Sequence, residues 1–246
     1  MGKITETVKH IIILNVLFFA ASSLLGIDLS NFLALYFPEN EHFGIWQLLS
    51  HMFMHGGFMH ILFNMYALWA FGSPLEQLWG RNKFIFFYFS AGLGAGLIYT
   101  AVNYFQFNNI HNELINLGLQ NSDIQSLLKT GRYNSEILNQ ISEKRLTEIF
   151  QIYNTPAVGA SGAIYGVLVA FGMTFPNAKL ALIFFPVPIA AKYFIPVLIA
   201  LDLFSGVTGF SIFGGGIAHF AHVGGALIGF IIMMVWKNNQ FKRWDR

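Results

Sequence analysis

The sequence contains no cysteine at all. That single absence removes disulfide bonds, thiolate-ligated metals and a cysteine nucleophile. It also leaves the redox compartment unreadable. Charge is nearly as scarce. Only 14 Lys and Arg and 12 Asp and Glu occur in 246 residues, or 11%. Soluble domains run near about 25% charged, so this chain lacks the charge to cover a soluble globule. A net charge of +2 without a clustered basic face gives no nucleic-acid footprint. Disorder is excluded too, because disorder needs low hydrophobicity and high charge.

What is present is apolar. Hydrophobic residues make up 55% of the chain, and they gather into six stretches, roughly 9–26, 57–73, 84–104, 158–175, 193–207 and 218–236. Each approaches the length of about 20 residues that a bilayer-spanning helix needs. Composition and pattern therefore predict an all-α membrane protein with six spans in one domain, 1–246. The first stretch follows Lys3 and Lys9 like a signal peptide, but no small-residue cleavage site comes after it, so it reads as a retained span.

Basic residues give the expected orientation. Lys3, Lys9, Arg81, Lys83, Lys179, Lys192, Lys237, Lys242, Arg243 and Arg246 fall in both tails and in the 2–3 and 4–5 loops. By the positive-inside rule those four places are cytoplasmic. The loops 26–50 and 206–216 contain no Lys or Arg and lie on the outer side. Within the first outer loop, two short apolar runs around Tyr36 and Trp46 look interfacial. The polar segment 105–154, between spans 3 and 4, carries nine charges and helical periodicity near 117–128 and 137–150. It reads as an extracytoplasmic insertion of two amphipathic helices. A solvated helical hairpin is preferred over a substrate platform, because long insertions cost little stability.

Polar residues inside spans are expensive, and so are functional candidates. Three groups stand out: His60 to Asn64 in span 2, Gly159-Ala160-Ser161-Gly162 at the start of span 4, and Ala221-His222-Val223-Gly224-Gly225 in span 6. Spans 4 and 6 both run inward, so Ser161 and His222 fall at similar depth. Gly162 and Gly166 on one span, with Ala221, Gly225 and Gly229 on the other, offer stripes for close helix approach. A serine hydroxyl needs a base to become a nucleophile, and His222 is the base that fits. Free backbone N–H groups at the start of span 4 favour negative charge there. His60 and Asn64, spaced i, i+4, can both donate to one spot and are assigned to an oxyanion hole.

Taken together, the run His51-Met52-Phe53-Met54-His55 before His60-x-x-x-Asn64, then Gly72, Glu76 and Gly80, Gly-x-Ser-Gly at 159–162 with Tyr165, and Ala221-His222-x-x-Gly225 resemble the rhomboid intramembrane serine proteases. The resemblance implies a six-helix bundle with a Ser–His dyad, no cofactor and no metal. It implies Ser161 as nucleophile, His222 as general base, and His60, Asn64 and the Ser161 N–H as oxyanion hole. Tyr165 would pack beside the histidine ring and shape a substrate pocket, and His219 would line the cavity. The loop 206–216 would be a cap and span 5 a lateral gate. Where the family often has Trp-Arg in the first loop, this chain has Trp46-Gln47, which puts a charge contact there in doubt.

Other polar residues take blander readings. His51 and His55 lack a third ligand and the His-Glu-x-x-His pattern, so structural hydrogen bonding is preferred to metal. Asp202 in span 5 is read as an outlying structural carboxylate or gate residue in preference to a triad carboxylate, since nothing in the sequence places it beside His222 and the family works as a dyad. Glu76 is expected to cap or bond the 2–3 loop. The expected function is an endopeptidase cleaving transmembrane or juxtamembrane segments with weakened helices. The expected location is a bacterial inner membrane, with both termini cytoplasmic and the active site open to the outer side. The alternatives are an inactive rhomboid-like chaperone or adaptor, which would have lost Ser or His, and a transporter, which would show discontinuous repeats or paired intramembrane charges.

Overall fold

A computed structural model of the chain describes residues 3–23, 26–182, 185–210 and 218–244. Helices occupy all six predicted positions. They are α1 (Glu6–Ser23), α2 (Phe58–Ala67) continued through a π turn (Leu68–Gly72) into α3 (Ser73–Trp79), α4 (Arg81–Asn116), α7 (Ser161–Thr174), α8 (Ala191–Thr208) and α9 (His219–Trp244). The polar segment supplies the two helices between, α5 (Asn121–Thr130) and α6 (Glu143–Asn154). Among the described residues, four helices are long and apolar enough to cross a membrane: α1, α4, α8 and residues His219–Lys237 of α9. The protein is thus an all-α membrane protein in its architecture. One antiparallel hairpin, Lys179–Leu182 with Phe185–Ala190, stands in the 4–5 loop, where the apolar pattern indicated no strand.

The core is a three-helix contact of α7, α9 and α4, built on small residues. A Cβ on Gly225 would overlap the carbonyl oxygen of Gly162. One on Gly229 would lie 2.7 Å from the Gly166 Cα, and one on Gly166 would lie 3.0 Å from the Gly225 carbonyl oxygen. Toward α4, Cβ atoms on Gly162 and Gly166 would stand 2.6 Å from those of Ala95 and Ala91. Between lipid-immersed helices association depends on packing at such surfaces, because lipid is as apolar as leucine. The stripes expected from the sequence do meet each other.

Glu76 does not bond the 2–3 loop as expected. Its carboxylate accepts the backbone N–H of Thr7 and Val8 at 3.0 Å each, and the Thr5 hydroxyl. Those amides belong to the first turn of α1, which has no intrahelical partners for them. Glu76 therefore caps α1 from another helix, and the charge suits the positive end of the helix dipole.

The polar segment folds on a small core of its own. At about 1.5 Å per residue α4 is roughly 54 Å long, well beyond the roughly 30 Å hydrocarbon layer. Its far end contributes Phe107, Ile110 and Leu114 to a buried cluster with Ile124, Leu127, Leu128, Ile137, Ile141, Leu146 and Ile149. The helices start later than the periodicity suggested, after a capping box on Gln120 and Asp123 and after the 3-10 turn Ser135–Asn139. Phe37 of the first loop enters the same cluster, and Asn40 donates to the Tyr153 carbonyl at 2.8 Å. Arg145 donates to Glu113 at 2.7 Å, tying α6 to α4.

In the first loop Trp46 is half exposed, as an interfacial side chain would be, but Tyr36 is buried, with its hydroxyl on Asn31. Gln47 takes the place of the family's arginine and is fully buried. Its amide donates to the His42 carbonyl at 2.7 Å and reaches the Phe32 carbonyl at 3.4 Å, while its oxygen accepts the Tyr36 N–H at 3.2 Å. A neutral amide can do both, whereas a guanidinium has no acceptor. The loop then pins the approach to α7. Leu35 and Ala157 exchange two backbone hydrogen bonds of 2.9 Å, and Gly159 donates to the His51 carbonyl at 2.9 Å.

Gly225→Ala should force α7 and α9 apart and cost about 1–3 kcal/mol or more, read as a lowered melting temperature in detergent. Gly57→Ala, where a Cβ meets nothing within 4 Å, is the control and should change stability by less than about 0.5 kcal/mol. Gln47→Ala should destabilise by about 1–3 kcal/mol, because it strands buried backbone groups, and should increase hydrogen exchange in residues 32–42.

Candidate active site

The site sits where α7 and α9 begin. Ser161 is the first residue of α7, so the N–H groups of its first turn have no partners within the helix. His222 lies one turn into α9. The glycine crossing brings their tips together: His222 Nε2 is 2.8 Å from Ser161 Oγ. Tyr165, one turn below Ser161, stacks on the His222 ring with centroids 4.2 Å apart and planes 12° from parallel. That fixes the plane in which the imidazole can turn.

His60 and Asn64 approach from α2 on one helical face. The backbone they approach is that of Gly159, whose φ of +120° favours glycine. A Cβ there would lie 2.7 Å from His60 Nε2 and 3.7 Å from Asn64 Nδ2. His60 Nδ1 accepts the Gly56 N–H at 3.4 Å. The proton is then on Nε2, the nitrogen that faces Gly159. Asn64 is buried, and its Nδ2 has no hydrogen-bond partner among the described residues. Two donors are thus held beside the start of α7, and the buried one, Asn64 Nδ2, is unused among the described residues. A buried donor left unpaired costs about 1–3 kcal/mol, the kind of cost found where a group waits for a ligand.

Other candidates fall into place around this centre. His51 bonds the Gln47 carbonyl at 2.8 Å, as a structural histidine would. His55 differs: it is buried and packs edge-on to His60, with ring centroids 5.0 Å apart. His219 does not simply line a cavity. It is buried, with Nδ1 2.6 Å from Asp202 Oδ1. The cap expected at 206–216 falls largely outside the described residues. Its first part, to Thr208, is helical and continues α8, ending at Gly209 in a left-handed turn.

One residue that the sequence reading set apart is at the centre. Asp202 is 1% exposed, and Oδ1 lies 3.1 Å from His222 Nδ1. The Tyr165 hydroxyl donates to its other oxygen. The expectation that Asp202 stands away from His222 is therefore corrected: α8 packs against α7 and α9 and delivers the carboxylate to the far side of the ring. The sequence signal was a lone acid in an apolar span. Asp202, His219 and His222 also place three ligand atoms within 4.8 Å of one another. All three already share hydrogen bonds, which a cation would have to displace.

Comparison with known proteins supplies the family. The model of the Rhomboid domain matches residues 42–108 and 136–238, leaving out part of the polar insertion. The presenilin-associated rhomboid-like protein, mitochondrial, of Homo sapiens is 28% identical over 199 residues, covering 78% of this chain and 40% of that protein. Rhomboid protein 1, mitochondrial, of Saccharomyces cerevisiae is 26% identical over 182 residues, 74% of this chain and 39% of its own length. Rhomboid protease GluP of Bacillus subtilis is 38% identical over 48 residues, 20% of this chain and 10% of that protein. The chain spans about two fifths of the length of the mitochondrial relatives. Because the relatives matched over most of the chain are mitochondrial, the expected bacterial inner membrane is overturned. The chain belongs to the rhomboid family.

Proposed function

We propose that the protein is an intramembrane serine endopeptidase. The 2.8 Å contact between His222 Nε2 and Ser161 Oγ carries the reading. His222 takes the Ser161 proton as Oγ attacks a peptide carbonyl carbon. The tetrahedral oxyanion accepts hydrogen bonds from His60 Nε2, Asn64 Nδ2 and the Ser161 N–H. His222 then gives its proton to the leaving amine. Water, deprotonated by His222, releases the acyl group and restores the serine.

Family membership and apolar helices support substrates that are themselves membrane proteins. A hydrogen-bonded helix hides its peptide bonds, so segments with weakened helices are the preferred targets. Six spans in one domain, with residues 105–154 outside the bilayer on the Ser161 side, is the arrangement we propose. The shortness of α7 supports a site sunk below the membrane surface: 14 residues span about 21 Å, less than the hydrocarbon layer.

Purified protein in proteoliposomes should cleave a labelled single-span substrate. Ser161→Ala and His222→Ala should each abolish cleavage, and unchanged cleavage in both would sink the proposal. Asn64→Ala should lower kcat by about 10²–10³-fold, with no loss of melting temperature, because its side-chain N–H has no partner among the described residues.

A further inference from the structure

We propose that Asp202 is a positioning residue that makes the Ser161–His222 pair into a carboxylate-oriented triad. This deepens the proposed function and rests on it. The resemblance implied a dyad, in which no carboxylate orients the imidazole. Here an acceptor stands on the far side of the ring.

The geometry is specific. Asp202 is buried in α8 and meets donors on both oxygens. Oδ1 is 3.1 Å from His222 Nδ1 and 2.6 Å from His219 Nδ1. The other oxygen accepts from the Tyr165 hydroxyl. An ionised carboxylate only accepts hydrogen bonds, so both Nδ1 atoms carry protons. For His222 this leaves Nε2 with its lone pair toward Ser161 Oγ, the tautomer a general base requires. The Tyr165 stack holds the ring plane, and because the same tyrosine bonds Asp202, ring and carboxylate are set by one side chain. His219, one turn before His222 on α9, holds the same carboxylate oxygen.

In the reaction the Ser161 proton moves to His222 Nε2 and the ring becomes a cation. The Nδ1 proton stays in place, facing the Asp202 charge, and Asp202 itself takes no proton. The carboxylate therefore stabilises charge that exists only after proton transfer. Such an interaction appears in kcat and not in substrate binding.

A purely structural Asp202 would only tie α8 to α7 and α9. Asp202→Asn keeps the size and an acceptor but removes the charge. Cleavage kinetics on the proteoliposome enzyme should show kcat lowered by about 10²-fold or more, with KM within about twofold. Histidine-selective ¹⁵N spectra, with the His222 signal assigned by its loss in His222→Gln, should show Nδ1–H in the wild type and a shift toward Nε2–H in Asp202→Asn. A kcat within about twofold of wild type in folded Asp202→Asn overturns the proposal. If Asp202→Asn does not fold, the wild-type spectrum decides alone: an Nε2–H tautomer of His222 overturns it. If wild type and Ser161→Ala are equally inactive, the protease reading fails, whereas the tautomer still reports on Asp202.

Discussion

The close crossing of α7 and α9 is the constraint on which the site depends. Ser161 and His222 are 61 residues apart in sequence, and neither side chain can reach far. Only because Gly162 and Gly166 face Gly225 and Gly229 without side chains can the two backbones approach until a serine and a histidine share a hydrogen bond. The same small surfaces let α4 lie against both helices through Ala91 and Ala95. In lipid, where hydrophobicity does not favour one helix contact over another, shape of this kind selects the partner.

Around that crossing, the rest of the fold supplies orientation. The first loop, held by the buried Gln47 amide, pairs with Ala157 and so sets where α7 starts. The α2 helix presents His60 and Asn64 to Gly159, and α8 presents Asp202 to the far side of His222. A carboxylate buried in a membrane helix is costly, and here donors on Tyr165, His219 and His222 surround it. The polar insertion stands apart, with its own core and its own ion pair, and touches the first loop through Phe37 and Asn40.

Much of this was legible in the sequence. Apolar runs located the helices, and the stripes of small residues beside Ser161 and His222 indicated which two would meet. The spacing of His60 and Asn64 put both on one face. Asp202 was not legible in the same way. Its position relative to His222 depends on how α8 leans on two other helices, and neither periodicity nor depth along a span encodes that angle. Glu76 failed for a related reason: it caps α1, some seventy residues earlier, through a contact that only the assembled bundle creates. Tyr36 looked interfacial from composition but is buried by contacts within its own loop.

Covalent labelling asks whether the crossing makes a working nucleophile. A serine-reactive fluorophosphonate applied to the protein in proteoliposomes, followed by peptide mass spectrometry, should place the adduct on Ser161 and on no other serine, and should give none with His222→Ala. Labelling of Ser161 that persists undiminished without His222, or an intact and folded protein that takes up no label, would contradict it.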